Sequence, residues 1–220
     1  MSVRLPSLAE MFRSAPLYAI LDTAARPDLA PRAILDALLR GGVRVIQYRH
    51  KGVFDKARYE ECEALARRAE ESGCCFFVND RADVARACRA AGVHFGQDDL
   101  PPERARLFIP TEMLVGFSTH TLAQAERATR LPIEYIAVGP VFSTSGKLNP
   151  EPVVGLNLVT RVRVLTDMLV VAIGGITVAN ARSVLDAGAS AVAVIGDLLG
   201  ARDIEARARE FLEALKSAGR

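Results

Sequence analysis

The sequence contains no tryptophan, and aromatic residues make up only 6% of its 220 positions. Proteins that bind single-stranded nucleic acid commonly stack bases on aromatic side chains, so this scarcity argues against that class. A surplus of one charge is also missing, because 28 Lys and Arg stand against 26 Asp and Glu. Without a basic surplus, the chain lacks the electrostatic attraction that nucleic-acid binding requires. We therefore predict no nucleic-acid partner.

Long apolar runs and regularly spaced cysteines are absent as well. No stretch approaches the roughly 20 apolar residues of a membrane span, and the first thirty residues lack an apolar segment after a basic start. The four cysteines, Cys62, Cys74, Cys75 and Cys88, do not have the spacing of a metal site, so we expect reduced and mostly buried thiols. These absences predict no membrane association and, by default, a cytoplasmic location. They leave open whether the chain forms a homo-oligomer.

Eight short apolar segments recur along the chain, with helical patterns between them. These predicted strands cover residues 17–21, 43–48, 75–78, 92–95, 113–117, 135–138, 169–173 and 191–195. Strands with so little polar alternation are typical of a parallel sheet that helices cover. We predict an α/β fold, a (β/α)8 barrel (TIM barrel) that forms a single domain over residues 1–220, with a short extra helix at 7–16.

An open, doubly wound sheet is the alternative, but the first strand-to-helix turn lacks a glycine-rich dinucleotide fingerprint. Glycines end several of the helical patterns and are predicted to cap those helices. They are Gly41, Gly73, Gly92 and Gly188.

Polar residues follow directly after most of the predicted strands. The carboxyl ends of barrel strands converge on one rim, where the active sites of such barrels lie. Asp80 and Asp99 follow neighbouring strands, and two carboxylates together with phosphate oxygens commonly hold Mg²⁺. Arg49, Lys51 and Lys147 add positive charge suited to phosphate oxygens. This rim therefore predicts a magnesium and diphosphate site.

The last two strands end in glycines rather than in charged residues. Gly174 and Gly175 follow one strand and Gly196 follows the next, so backbone N–H groups are open to a ligand. A phosphate commonly binds at this part of a barrel. The pattern predicts a second anion site.

Each of these residues also has a purely structural interpretation. Asp80 and Asp99 could cap helices, and Gly174 and Gly175 could be ordinary turn residues. His94 lies within a predicted strand and is expected to be a packed core histidine rather than a ligand. Arg49, His50 and Lys51 could form a solvated loop, and Ser118, Thr119 and His120 could form a turn or cap. Their common position at one rim favours the functional interpretation.

Five segments, in order, resemble the thiamine-phosphate synthase family over residues 17 to 200. They read GGVRVIQYRHKG, FFVNDRADVARACRAAGVHFGQDDLP, LVGFSTHTLAQA, YIAVGPVFSTSGK and VVAIGGITVANARSVLDAGASAVAVI. The resemblance implies a (β/α)8 barrel. It also implies a Mg²⁺-dependent transferase that joins 4-amino-5-hydroxymethyl-2-methylpyrimidine diphosphate to a thiazole phosphate, with release of pyrophosphate. The thiazole phosphate would react in its carboxylated form, with loss of CO2, or in its plain form, and the sequence leaves this choice open.

The resemblance further implies a role for each residue that matches the family's motifs. For the pyrimidine diphosphate these are Gln47, Arg49, Lys51, Asn79, Ser118 and Lys147, with Tyr48 and His50 in the same QYRHK segment. Arg49, Lys51, Lys147 and Ser118 would take part in catalysis, and Asp80 and Asp99 would bind the metal. Thr144, Ser145, Gly146, Gly175, Ile195 and Gly196 would hold the thiazole phosphate.

The sequence departs from the family's usual pattern in three places. QYRHK stands where QLREK is usual, so Tyr48 and His50 replace a Leu and a Glu, and a local ion pair or hydrogen bond would be lost. Gly146 and Gly196 replace a Thr and a Ser, which removes hydroxyl groups that would face the thiazole phosphate.

Two other functions remain as alternatives. A related thiazole tautomerase has the same fold and uses a histidine in the loop that here contains His120, but it needs neither the basic loop nor the two acidic metal positions. The second alternative is a non-catalytic sensor of phosphate ligands on a degenerate barrel. Retention of Asp80, Asp99 and Arg49 argues against it.

Overall fold

In the computed structural model, which describes residues 6–144 and 152–216, eight parallel strands pair in chain order and close into a barrel. The strands are β1 (Leu17–Asp22), β2 (Val45–Arg49), β3 (Cys75–Asn79), β4 (Gly92–Phe95), β5 (Leu114–Thr119), β6 (Tyr135–Val138), β7 (Leu169–Ile173) and β8 (Ala191–Val194). The ring is completed where β1 pairs with β8. The predicted (β/α)8 barrel is confirmed.

Ten helices form from the same described residues. They are α1 (Leu8–Ser14), α2 (Pro31–Arg40), α3 (Lys56–Glu71), α4 (Ala82–Ala87), α5 (Pro102–Ala105), α6 (Leu122–Ala128), α7 (Gly155–Leu165), α8 (Val178–Asp186), α9 (Gly196–Leu199) and α10 (Ile204–Leu215). No helix in this part of the chain is both long enough and apolar enough to cross a bilayer. The four cysteines are buried free thiols, as predicted.

The helical pattern after β1 forms α2 as its sequence predicts. Pro31 occupies the first turn, where its missing N–H costs no hydrogen bond. Ile34 and Leu38 lie on the buried face that packs against the barrel. The helix ends at Arg40 with Gly41 as its C-cap, and Gly42 takes the left-handed conformation that reverses the chain, with φ of 94°.

The prediction that Gly92 caps a helix is wrong. Gly92 is the first residue of β4, whereas α4 ends at Ala87 with Cys88 as its C-cap, and the next residue, Arg89, adopts a positive φ of 54°. Gly92 pairs with Phe77 in the neighbouring strand, and a Cβ at Gly92 would overlap the Phe77 ring. The glycine is needed for space inside the barrel, which the local sequence does not reveal.

Strand side chains alternate between the barrel interior and the helix layer. The interior cluster includes Tyr18, Val45, Phe77 and Tyr135, and α1 contributes Phe12 to it. The rings of Phe12 and Tyr18 lie 6.2 Å apart, so the predicted extra helix closes the amino-terminal end of the barrel. The other faces of the strands pack against the surrounding helices.

Replacing Gly116 by Ala is expected to destabilise the barrel. Gly116 pairs with Tyr135, and a Cβ at Gly116 would overlap the Tyr135 ring, which is fully buried. Overpacking of this kind costs about 1–3 kcal/mol in free energy of unfolding, and urea denaturation measures it. Gly196→Ala is the control, because a Cβ there would have no atom within 4 Å. Equal stability of the two variants would contradict this explanation.

Candidate active site

The carboxyl ends of the strands surround a cavity of about 130 Å³, here called the mouth cavity. Its polar lining residues are Tyr18, Gln47, Arg49, Lys51, Asn79, Asp80, His94, Asp99, Ser118 and Tyr135, together with the backbone of Gly96. Its apolar lining comes from Ile20, Ala137, Val171, Ile173, Ala193 and Ile195. Most of the residues that the sequence placed at the pyrimidine and metal sites therefore meet in one cavity.

In strand β2, successive side chains of the QYRHK segment point alternately into the barrel and toward the helix layer. Gln47 and Arg49 point into the barrel and line the mouth cavity. Tyr48 lies between them and must face the other side, where it is fully buried and donates a 2.6 Å hydrogen bond to Glu61 on α3. The assignment of Tyr48 to substrate binding is therefore wrong, because the side-chain period of a strand is two.

His50 also lies outside the mouth cavity. Its Nε2 donates to the Val53 carbonyl at 3.2 Å, and its Nδ1 is 2.8 Å from the Thr23 hydroxyl. The ring packs edge-on against Phe54. His50 thus makes local hydrogen bonds in the loop after β2 and does not line the mouth cavity.

Asp80 occupies an unusual backbone conformation at the end of β3. Its φ is 62°, in the left-handed region, and its N–H donates to the His94 carbonyl at 2.8 Å. This turn directs the carboxylate to the cavity, where it accepts a 2.6 Å hydrogen bond from Lys51 Nζ. The N-cap of α4 is Arg81, without a side-chain capping bond, so Asp80 does not cap the helix.

Asp99 reaches the same cavity from the loop after β4. Its Oδ2 accepts a 2.6 Å hydrogen bond from the Gly96 N–H, and the helix that follows begins at Pro102 without a side-chain cap. The pKa of the Asp80 carboxyl is raised, first by burial and then by the nearby Asp99 carboxyl, while Lys51 opposes the shift. The two acids therefore meet, and their mutual repulsion favours a cation between them.

The donor set fits a magnesium ion. Within residues 6–144 and 152–216, no cluster of three or more His, Cys, Asp or Glu side chains could hold a metal by itself. Mg²⁺ is commonly held by one or two carboxylates, with water and substrate phosphates as its other ligands. Asp80 and Asp99 supply that number of carboxylates at a wall that also carries Arg49 and Lys51.

Two further groups in the cavity are positioned for a ligand. The guanidinium of Arg49 forms an ion pair with Asp22 at the end of β1, which fixes its position at the rim. Asn79 is only 8% exposed, and its Nδ2 is the one buried side-chain N or O atom in the described residues without a hydrogen-bond partner. A buried unpaired donor is costly, so Asn79 is suited to bind an acceptor atom of a ligand.

His94 is buried, as its position within a strand predicts, but its ring is also part of a hydrogen-bond network. Both nitrogens form 2.8 Å hydrogen bonds, Nδ1 with the Tyr135 hydroxyl and Nε2 with the Ser118 hydroxyl. Tyr18 and Tyr135, which also line the mouth cavity, were not predicted at all. Alternation of polar and apolar residues in GVHF was the available signal, since Val93 and Phe95 must face the helices.

A second cavity of about 240 Å³ adjoins the first, and we call it the glycine pocket. It is lined by Ser143, Thr144, Ile173, Gly174, Gly175, Ile176, Thr177, Ala193, Val194, Ile195, Gly196 and Asp197. Ile173, Ala193 and Ile195 line both cavities, so two ligands could lie side by side. The predicted residues Thr144, Gly175, Ile195 and Gly196 all line the glycine pocket. The predicted residues Ser145, Gly146 and Lys147 lie outside the described residues.

Gly175 is required by the shape of the glycine pocket. Its φ is 63°, and a Cβ there would overlap the Ser143 carbonyl oxygen. Asp197, an acid at the same pocket, accepts from the Val178 N–H at 3.1 Å and lies 3.6 Å from an Arg207 nitrogen. Its charge is thus partly compensated, which leaves the glycine backbone for an anionic ligand.

The residues after Ser118 have structural roles. Thr119 is buried and donates to the Ala137 carbonyl, while Thr121 forms a capping box with Gln124 at the start of α6. His120 Nδ1 donates to the Gly139 carbonyl at 2.5 Å. Of this segment, only Ser118 lines the mouth cavity.

Comparison with known proteins gives a consistent result. A family model described as thiamine monophosphate synthase matches residues 17–198. The thiamine-phosphate synthase of Koribacter versatilis is 47% identical over 205 residues, which are 91% of this chain and 96% of that protein. That of Roseiflexus castenholzii is 42% identical, covering 90% and 86%. The structure of thiamine phosphate pyrophosphorylase from Pyrococcus furiosus superposes with a TM-score of 0.84 at 33% identity, covering 93% of this chain and 97% of that one.

Proposed function

The chain belongs to the thiamine monophosphate synthase family, and we propose that it joins the pyrimidine diphosphate to the thiazole phosphate, releasing pyrophosphate, with Mg²⁺ as cofactor. One observation carries the proposal: Asp80 and Asp99 meet in the cavity that Arg49 and Lys51 also line. Two acids beside two cations suit a diphosphate and its metal better than they suit an uncharged substrate.

The diphosphate would lie against the charged side of the mouth cavity. Asp80 and Asp99 would hold Mg²⁺, which when bound neutralises charge on the phosphate oxygens. Arg49 and Lys51 are placed to bind the same oxygens and to stabilise the negative charge that grows as pyrophosphate departs. The pyrimidine ring would extend toward Gln47, Asn79 and Ser118.

Departure of pyrophosphate leaves a pyrimidine carbocation, which the thiazole nitrogen attacks. Ile173, Ala193 and Ile195 lie between the two cavities, so the ring nitrogen could approach the cation across an apolar wall that does not supply water. The glycine pocket would hold the thiazole phosphate through backbone N–H groups. No general base is needed for this bond to form.

Three assays distinguish the proposal from its alternatives. Purified protein is expected to form thiamine phosphate only when both substrates and Mg²⁺ are present. A thiazole tautomerase would instead isomerise the thiazole phosphate without the diphosphate, and His120→Ala would abolish that activity. A sensor would bind the substrates with no product after hours of incubation. Either of the last two results would reject the proposal.

Gly175→Ala is expected to weaken binding of the thiazole phosphate selectively. The added Cβ collides with the Ser143 carbonyl oxygen, and alanine disfavours the positive φ of this position, so the glycine pocket must change shape. We expect KM for thiazole phosphate to rise roughly 10-fold, equivalent to 1.4 kcal/mol, while KM for the pyrimidine diphosphate stays unchanged. Gly188→Ala is the matched control, since its φ of 103° is equally unsuited to alanine but Gly188 lies at the end of α8. Equal effects on both KM values would contradict the assignment.

A further inference from the structure

A continuous chain of hydrogen bonds crosses the barrel interior beneath the mouth cavity. Gln47 Nε2 donates to the Tyr18 hydroxyl at 3.0 Å, and the hydroxyls of Tyr18 and Tyr135 are 3.1 Å apart. The Tyr135 hydroxyl lies 2.8 Å from Nδ1 of His94, whose Nε2 lies 2.8 Å from the Ser118 hydroxyl. Five residues from five strands thus connect Gln47 to Ser118, and all five line the cavity.

The direction of donation along this chain follows from counting protons. The Gln47 amide nitrogen can only donate, so the Tyr18 oxygen accepts and the Tyr18 proton passes to Tyr135. Tyr135 then has one proton, which it donates to Nδ1 of His94. A neutral imidazole that accepts at Nδ1 has its proton on Nε2, and this proton is donated to Ser118.

The opposite direction leaves a group unsatisfied. If Tyr135 donated to Tyr18, Tyr18 would accept twice, and its own proton would have no acceptor among the described residues. A cationic His94 would donate from both nitrogens, so Tyr135 would have to donate to Tyr18. The Tyr18 proton would again have no acceptor among the described residues. Tyr18 is almost completely buried, so an unpaired hydroxyl proton there is costly. Burial also raises the pKa of Tyr18 and of Tyr135, so both keep their protons.

We propose that this chain fixes Ser118 as a hydrogen-bond donor to the substrate, with Tyr135 and His94 as positioning residues. Because Ser118 accepts from His94, its own proton is free to point into the mouth cavity toward an acceptor atom of the pyrimidine diphosphate. The site would therefore select ligands with an acceptor atom at this point, because a ligand that presents a donor there would face the Ser118 proton. The role for substrate rests on the proposed function, whereas the direction of the chain does not.

The direction can be measured in the unmodified protein. Two-bond ¹H–¹⁵N correlation spectra of ¹⁵N-histidine-labelled protein distinguish the tautomers of the three histidines, with His50→Asn and His120→Asn variants to assign His94. We expect a neutral His94 ring with its proton on Nε2. A proton on Nδ1, or on both nitrogens, would overturn the proposal. Because this spectrum needs no substrate, a protein without synthase activity could still show the expected tautomer, which would reject the function alone.

Kinetics test whether the chain acts through Ser118. Tyr135→Phe and Ser118→Ala are each expected to lower kcat/KM for the pyrimidine diphosphate roughly 10-fold, the effect of one hydrogen bond. The double variant should be no worse than Ser118→Ala, because residues that act as a unit are not additive. A purely structural Tyr135 would instead give a loss of roughly 100-fold in the double variant, the product of the single effects, and would refute the positioning role. Tyr48→Phe removes the hydroxyl of an equally buried tyrosine that faces the helix layer, and it should leave kcat/KM unchanged.

Discussion

Asp80→Asn is expected to lower kcat/KM for thiamine phosphate formation by on the order of 100-fold or more, while raising the melting temperature of the metal-free protein. The activity falls because Asn keeps the shape of the side chain but loses the charge that would hold the metal beside the diphosphate. The backbone should tolerate the change, since Asn adopts a positive φ as readily as Asp does.

The stability gain follows from the direction of the Asp80 pKa shift. Burial and Asp99 raise the pKa of this carboxyl in the folded protein, so the folded state binds the proton more tightly than the unfolded chain does. The metal-free fold therefore loses stability as pH rises from the unfolded pKa through the raised folded pKa. Asn removes this loss, so the difference in melting temperature should be present at neutral pH and should disappear in acid, where Asp80 is protonated in both states.

Asp83→Asn is a control for which we expect the opposite change in melting temperature. Asp83 lies on α4 three residues away, and its hydrogen bonds with Arg81 lower the pKa of its carboxyl. Its removal should lower the melting temperature slightly at neutral pH and leave turnover unchanged. Calorimetry and steady-state kinetics on both variants check the pair of expectations. An Asp80→Asn protein with normal turnover would contradict the metal assignment, and one with a lower melting temperature would contradict the explanation by charge.

Arg49→Met is expected to cause a loss of similar size, on the order of 100-fold in kcat/KM for the pyrimidine diphosphate. Arg49 enters the mouth cavity from β2, and its pairing with Asp22 holds the planar guanidinium in one position before substrate arrives. Methionine keeps much of the side-chain volume but removes the charge and the donors. Asp22 then also loses its partner, so a substrate diphosphate would approach an uncompensated carboxylate.

Arg81→Met is the matched control for this experiment. Arg81 follows Asp80 directly, but its guanidinium pairs with Asp83 and lies 5.2 Å from the centre of the Phe54 ring. Removal of a cation this near the rim should change kcat/KM by no more than about two-fold if only cations within the cavity bind the diphosphate. Equal losses in the two variants would indicate a general effect of net charge and would contradict a specific role for Arg49.

The sequence was sufficient to predict the barrel and most of its rim. All eight strands occur where apolar segments predict them, because strands buried on both faces are mostly apolar and carry their polar residues near the carboxyl end. The rim residues could be predicted for a related reason: the carboxyl ends of parallel strands meet, so Arg49, Asp80 and Asp99 come together without any similarity in their local sequences. The glycine pocket could be predicted in the same way, because Gly174, Gly175 and Gly196 follow the carboxyl ends of the neighbouring strands β7 and β8.

The errors have equally definite causes. The QYRHK segment predicts Tyr48 at the site because its neighbours belong there, but the two-residue period of a strand places Tyr48 on the opposite face. The positive φ of Asp80 depends on how β3 turns beside His94, and the sequence does not encode this locally. The chain from Gln47 to Ser118 joins residues that are up to 117 positions apart in successive bonds, so no motif could reveal it.

The most direct test of the metal assignment is pyrophosphate release from the pyrimidine diphosphate, measured in Mg²⁺ and again in EDTA, with thiazole phosphate present or omitted. We expect release only when Mg²⁺ and thiazole phosphate are both present, and restoration when excess Mg²⁺ follows EDTA. Turnover that continues at the same rate in EDTA would contradict a divalent cation held by Asp80 and Asp99.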